Sequence, residues 1–188
     1  QRCSANRPAG TLITKPFNVT TVGYRHFLID KLLPAIKATC LADSTMPIKI
    51  QQDNARPHIG PHDVEFMAAA ERLELNIKLI CQPPNSPDLN VLDLSYFTAI
   101  QGLQYKEAPS NIDELIDVVQ SSFNKLKKNT LNNVFLTLQK VMEACIMCDG
   151  NNTYKLPHIN KAWLERLGEL PDSIKVSETS REKINECI

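Results

Sequence analysis

The sequence predicts an α/β fold: a short parallel sheet followed by an all-helical carboxyl-terminal region. Three observations carry this. Ile48–Gln52 and Ile77–Cys81 are short β-rich runs. Residues 61–75 between them follow a helical pattern, with Ala68, Ala69 and Ala70 inside it. Beyond Gly102 the apolar residues recur only at helical spacing. Strand, helix and strand within so short a stretch form a βαβ unit, whose two strands run parallel and end on one edge of the sheet.

The elements follow in order. Residues 1–10 read as a loop broken by Pro8 and Gly10, and residues 11–20 as a short β segment interrupted by Pro16. With Thr20 or Thr21 as cap, the apolar positions Val22, Phe27, Leu28, Leu32 and Ile36 predict a helix to about Lys37, its last turn weakened by Pro34. A connection follows over 38–47. The helix over 61–75 presents Val64, Met67 and Leu75. Pro83, Pro84 and Pro87 stiffen the turn after the second strand, and Asp88 caps a helix that starts between Leu89 and Leu92, with Asp93 in its first turn.

Further on, Ser110 and Asn111 followed by Asp113 and Glu114 have capping-box spacing, and Ile112, Leu115, Ile116, Val119, Phe123 and Leu126 form one apolar face. A helix from about Thr130 buries Leu131, Val134, Phe135, Leu138, Val141, Met142 and Cys145, ending near Asp149, Gly150 and Asn151. A short last helix over Asn160 to Leu167 holds Trp163 as a core anchor. The expected organisation is a partial core over 1–105, a helical extension over 106–170, and a polar, disordered tail over 171–188.

A chain of 188 residues with 43% hydrophobic content is long enough for one real core. Net charge is zero, from 21 basic and 21 acidic residues, so bulk charge announces no nucleic-acid partner. Its distribution is uneven. Residues 1–58 carry net +5, 59–120 net −7, 121–166 net +4 and 167–188 net −2. An acidic middle between basic segments suits a carboxylate site flanked by phosphate-meeting surfaces, and equally suits solvated faces.

Cys3, Cys40, Cys81, Cys145, Cys148 and Cys187 lack the spacing of a disulfide framework, and no apolar run approaches a membrane span of ~20 residues. These features predict a reducing, intracellular compartment, in which the sequons at Asn18 and Asn151 stay idle. Cys145 and Cys148 form an isolated CxxC; zinc would need two more ligands, with His158 and His62 as the available candidates, and idle cysteines are the simpler reading.

Ligands of open α/β sheets bind beyond the carboxyl ends of the strands. Asp53 sits at that edge, and Asp93 returns to it. Two carboxylates there offer hard oxygen ligands for Mg²⁺. On spacing alone the pair is more readily explained by strand ends and helix caps than by a metal site.

The surrounding text decides between these readings. QQDNARPH at 51–58 and PPNSPDLNVLD at 83–93 resemble the second and third acidic motifs of the mariner-type DDE/D transposases. Thirty-nine residues separate Asp53 from Asp93, and a terminal Asp at that interval resembles the plant and oomycete mariner-like elements. The likeness continues through VFLTLQKVM at 134–142 and YKLPHINKAWLERLG at 154–168, covering roughly residues 7–171.

The resemblance implies a truncated ribonuclease H-like fold with Asp53 and Asp93 as catalytic, metal-binding carboxylates for Mg²⁺ or Mn²⁺. It implies a cut-and-paste DNA transposase that cleaves and joins DNA at transposon terminal inverted repeats in the nucleus, acting as a homodimer. Asn54 and His58 read either as site support or as local hydrogen-bonders. Arg56, and the cluster Lys125, Lys127 and Lys128, read either as DNA contacts or as solvated charges.

In one respect the chain departs from the family. Members carry a first catalytic Asp on a central strand and an amino-terminal helix-turn-helix region, and neither is found here. Asp30 falls in a helix and Asp43 in a connection, both too near Asp53 to take the first position. The expectation is a chain that starts after that strand, exposes an unpaired strand edge and does not cleave DNA by itself. The alternative is a transposase-derived relic or co-opted nucleic-acid- or protein-binding module. An unrelated α/β hydrolase would need a nucleophile elbow that the sequence lacks.

Overall fold

The computed structural model describes residues 13–39 and 46–186. The loop over 1–10, Asp43, most of the 38–47 connection, and Cys3, Cys40 and Cys187 lie outside them. Residues 13–20 form no strand, which corrects the β segment expected there: Pro16 has no ladder hydrogen to give, and Ile13, Phe17 and Val19 stay exposed.

The first helical stretch comprises α1 (Thr21–Phe27), a π-helical turn (Leu28–Leu32) and α2 (Leu33–Thr39). Thr20 caps it, its hydroxyl accepting from Gly23 N at 3.2 Å. Pro34 does not weaken its end. The wide turn before it shifts Leu33 N–H onto Leu28 O, and Pro34 then falls in the first turn of α2, where a missing donor costs little. Leu28 and Leu33 are buried, whereas Val22 and Phe27 are exposed.

β1 (Ile48–Gln52) and β2 (Ile77–Cys81) pair in parallel, Ile48 opposite Ile77 and Gln52 opposite Cys81. The predicted βαβ unit is therefore present, as a two-stranded sheet among the described residues. Its crossover helix is α3 (Val64–Arg72), capped by Asp63, which accepts from Phe66 N at 3.0 Å. α3 buries Phe66, Ala69 and Ala70; Val64 and Met67 face outward, contrary to expectation. The helix packs its i, i+3, i+4 row from Phe66 against Ile77 and Leu79 of β2 and against Leu28, Leu33 and Ile59, forming one core. The Arg25 guanidinium grips Asp63 at 2.8–3.0 Å and holds its carboxyl below the usual range, tying α1 to α3.

After β2 come a 3₁₀ turn (Pro87–Leu89), a π-helical turn (Leu92–Tyr96) and α4 (Phe97–Gln104). α5 (Ile112–Lys125) starts with the predicted capping box: Asn111 Oδ1 accepts from Glu114 N, and Glu114 Oε2 accepts from Ser110 N. α6 (Lys128–Met147) buries Val134, Leu136 and Val141 but leaves Phe135 and Met142 exposed. It closes with Asp149 and Gly150 at positive φ and Gly150 N donating to Cys145 O.

α7 (Lys161–Leu167) exposes Trp163 and Leu167, 48% and 50%, so Trp163 is not the core anchor expected of it. The tail over 171–188 is not disordered throughout. Pro171 O accepts from Asn132 Nδ2, Ile174 N donates to Gln139 Oε1, and α8 (Glu178–Glu186) packs on α6 with Ser180 fully buried. Polar anchoring to α6 replaces the apolar core that the tail lacks. No described helix is long and apolar enough to cross a membrane.

Candidate metal-binding edge

The carboxyl ends of β1 and β2 are stitched together by side chains. Gln82 N donates to Gln52 O at 2.8 Å, extending the ladder one step beyond the strands. Asn54 Nδ2 reaches across to Gln82 O at 2.9 Å. Gln51 Nε2 donates to Leu89 O at 3.0 Å, which brings the Pro87–Leu89 turn back to the end of β1. Asp93 follows that turn by four residues.

Asp53 follows β1 directly and its side chain is half exposed. Its Oδ1 accepts from Ala55 N at 2.8 Å, the turn that an Asx residue makes with its own backbone. His58 Nδ1 lies 2.9 Å from the same Oδ1 and 2.8 Å from Asp53 O. Both neighbours only accept, so Nδ1 donates the hydrogen, and Nε2 has no hydrogen-bond partner among the described residues. The His58 ring rests on Tyr24, centroids 4.4 Å apart, and Tyr24 OH donates to Gln52 Oε1 at 3.2 Å. Burial, and after it the Asp53 charge, raise the Tyr24 pKa. Gln52, itself buried, holds Ile59 O with its amide and so fixes the loop that delivers His58.

Asp93 is exposed in the first turn of its helical stretch, as expected. Its Oδ2 accepts from Asn90 Nδ2 at 2.8 Å, while Asn90 Oδ1 accepts from Leu92 N. Asn90 thus does the capping expected of Asp88. Asp88 instead accepts from Tyr154 OH, a bond that, after burial, raises the tyrosine pKa and clamps the segment after α6 onto the Pro87–Leu89 turn.

Of the other predicted site residues, Asn54 is a stitch between strand ends. Arg56 is exposed beside Asp53, with no ion pair among the described residues. Lys125 is paired with Glu107 at 3.2 Å, and Lys127 and Lys128 are exposed at the α5–α6 junction. Cys145 and Cys148 are free and half-buried, and among the described residues no group of three or more His, Cys, Asp or Glu is placed to hold a metal ion.

Sequence reasoning missed Gln51, Gln52 and Gln82, which arrange this edge. Their polar character at the ends of apolar strands was the available signal. Gln82 is buried with its Oε1 unpaired, an orphan acceptor at the edge.

The carboxylates fit a hard divalent ion in donor type. Asp53 Oδ2 and Asp93 Oδ1 take no hydrogen bond from the described residues, so each carboxylate keeps one free oxygen. Mg²⁺ is commonly held by one or two carboxylates with water and substrate phosphate completing the shell. Comparison with known proteins found no matching protein family, no matching curated protein and no matching solved structure.

Proposed function

We propose that this chain is part of a DNA transposase of the mariner-type DDE/D class, with a ribonuclease H-like core in which Asp53 and Asp93 hold Mg²⁺ or Mn²⁺ at the carboxyl edge of β1 and β2. The observation that supports the reading is the Gln51–Leu89 contact, which holds the turn preceding Asp93 at the end of β1, where Asp53 follows the strand. The motif text around both residues supports it.

In this reading Asp53 and Asp93 bind the ion, His58 and Ala55 N orient Asp53, and Asn90 orients Asp93. The chemistry such an ion supplies when bound is activation of a water or hydroxyl and stabilisation of the leaving oxygen of a phosphodiester. Arg56, exposed beside Asp53, meets the DNA backbone. DNA bearing the terminal inverted repeats is the substrate, and the nucleus the place of action.

Two carboxylates supply less charge than three, and the described residues add no third acidic ligand at this edge. The polypeptide by itself therefore binds the ion weakly and does not cleave or join DNA. The same observation favours a second reading, a nucleic-acid- or protein-binding module that keeps the scaffold without the chemistry.

Duplex DNA binding in Mg²⁺ and in a chelator separates the two. The first reading expects tighter binding with Mg²⁺, an increment lost in Asp53→Asn, and no cleavage by the isolated chain. Equal binding in both buffers would support the second, and Mg²⁺-dependent cleavage that Asp53→Asn abolishes would overturn the claim of inactivity.

A further inference from the structure

Two thiols close α6. Cys145 lies in its last turn and Cys148 is its carboxyl-terminal cap, both free and half-buried. Positions three apart on a regular helix hold their Cβ atoms ~5–6 Å apart, whereas a disulfide needs ~3.5–4.5 Å. This turn has begun to close the gap. Cys148 N donates to Cys145 O at 3.2 Å as well as to Ala144 O at 3.1 Å, the tighter winding of a 3₁₀ turn, and its backbone leaves the helix at φ −99° and ψ 22°. Asp149 and Gly150 then take positive φ, so the helix stops here and a further closure of ~1–2 Å distorts one turn only.

The surroundings of the pair fit thiol chemistry better than idle packing. Burial, then the bond to Asp88 and its charge, raise the Tyr154 pKa, and Cys145 and Cys148 both add to the rise. The two sulfurs therefore stand near one phenol, on one side of the turn. Lys183 comes from α8 to the same place: its Nζ donates to Met147 O at 2.9 Å and to Asp149 Oδ1 at 2.7 Å, the residues on either side of Cys148. An ammonium there favours the thiolate of Cys148. Cys81 is exposed too, but no second cysteine lies within three residues of it.

We propose that Cys145 and Cys148 form a reversible dithiol–disulfide pair, oxidised by a small disulfide of the glutathione class, that sets how firmly α8 is held on α6. The Cys148 thiolate attacks one sulfur of the oxidant, whose S–S bond breaks and whose other half leaves as a thiolate. Cys145, deprotonated in turn, attacks the Cys148 sulfur of this mixed disulfide; the Sγ–Sγ bond forms and the second half leaves. The pair gives up two protons and two electrons, and the oxidant takes both to end as two thiols. Closure draws Cys148 towards Cys145 and shifts Met147 O and Asp149, the two acceptors that hold Lys183 and with it α8. Oxidation thus loosens the tail. A disulfide closed under strain in a half-exposed turn is of the labile, regulatory kind. The pair is independent of the metal-site reading.

Incubation of the full chain with oxidised glutathione, followed by acid quenching, alkylation and peptide mass mapping, tests the pair. The expected product carries Cys145 linked to Cys148, two hydrogens lighter than the reduced peptide and restored by dithiothreitol. It forms roughly ten-fold faster than Cys81 takes up glutathione. Cys145→Ser traps glutathione on Cys148, whereas Cys148→Ser leaves Cys145 slow to react. Hydrogen exchange of α8 rises on oxidation, recovers on reduction and does not respond to the oxidant in Cys148→Ser. A chain that forms no 145–148 linkage, or forms it no faster than Cys81 reacts, overturns the thiol assignment. A linkage that forms while α8 keeps its protection overturns the coupling to the tail.

Discussion

Asp53 owes its posture to its neighbours more than to its strand. The Ala55 amide and the His58 ring converge on one of its oxygens, and the ring is braced by Tyr24, which is bonded to Gln52. Removing such an orienting group commonly costs ten- to a hundred-fold in metal affinity. His58→Ala should therefore lower Mn²⁺ affinity by about ten-fold and destabilise the fold by about 1 kcal/mol, read by calorimetric titration and urea unfolding. His58→Asn keeps a donor at that place and should recover most of the affinity. If His58→Ala leaves affinity unchanged, His58 merely packs against Tyr24. The motif text marked His58 and Asn54 as neighbours of Asp53 without giving their roles. Those roles depend on which acceptors lie within reach, Asp53 for the ring and Gln82 O for the amide, and spacing in sequence does not encode that.

Among the elements, α6 is the organising piece of the carboxyl-terminal region, and its polar side chains hold the tail. Glu143 accepts from Lys140 at 2.7 Å and from Ser177 N at 3.2 Å, and these partners pull its pKa from 4.5 down to about 2. A carboxyl whose folded pKa lies below its unfolded value stabilises the structure above the unfolded value and loses that contribution as pH falls. For Glu143 the loss runs from about 4.5 towards about 2. α8 should accordingly loosen from α6 in that window, before the βαβ core, as read by hydrogen exchange. Glu143→Gln should loosen α8 at neutral pH, at a cost on the order of 1 to 3 kcal/mol. Equal protection of α8 in the variant would show that the tail is held by something else.

These contacts explain why the tail was unreadable in the sequence. A tail docked by hydrogen bonds of Pro171, Ile174 and Ser177 to Asn132, Gln139 and Glu143 leaves no apolar period to find. The capping box of α5, the parallel pair and the first turn around Asp93 were legible because local chemistry sets them. Which face of a helix is buried was not, because Val64 and Met67 of α3 fit a helical row as well as Phe66 and Ala69 do.

For the whole molecule, a βαβ core carries Asp53 at its carboxyl edge and holds the turn that precedes Asp93 at the end of β1. The Gln51–Leu89 and Tyr154–Asp88 contacts fasten the Asp93 segment from both sides, to β1 and to the chain beyond α6. Asp53 and Asp93 are proposed to act as one site. Electron paramagnetic resonance titration of Mn²⁺ into the wild-type chain, Asp53→Asn and Asp93→Asn tests it most directly. The expected result is one weak, saturable site in the wild type that either substitution alone abolishes. Wild-type Mn²⁺ binding retained in either variant would contradict it.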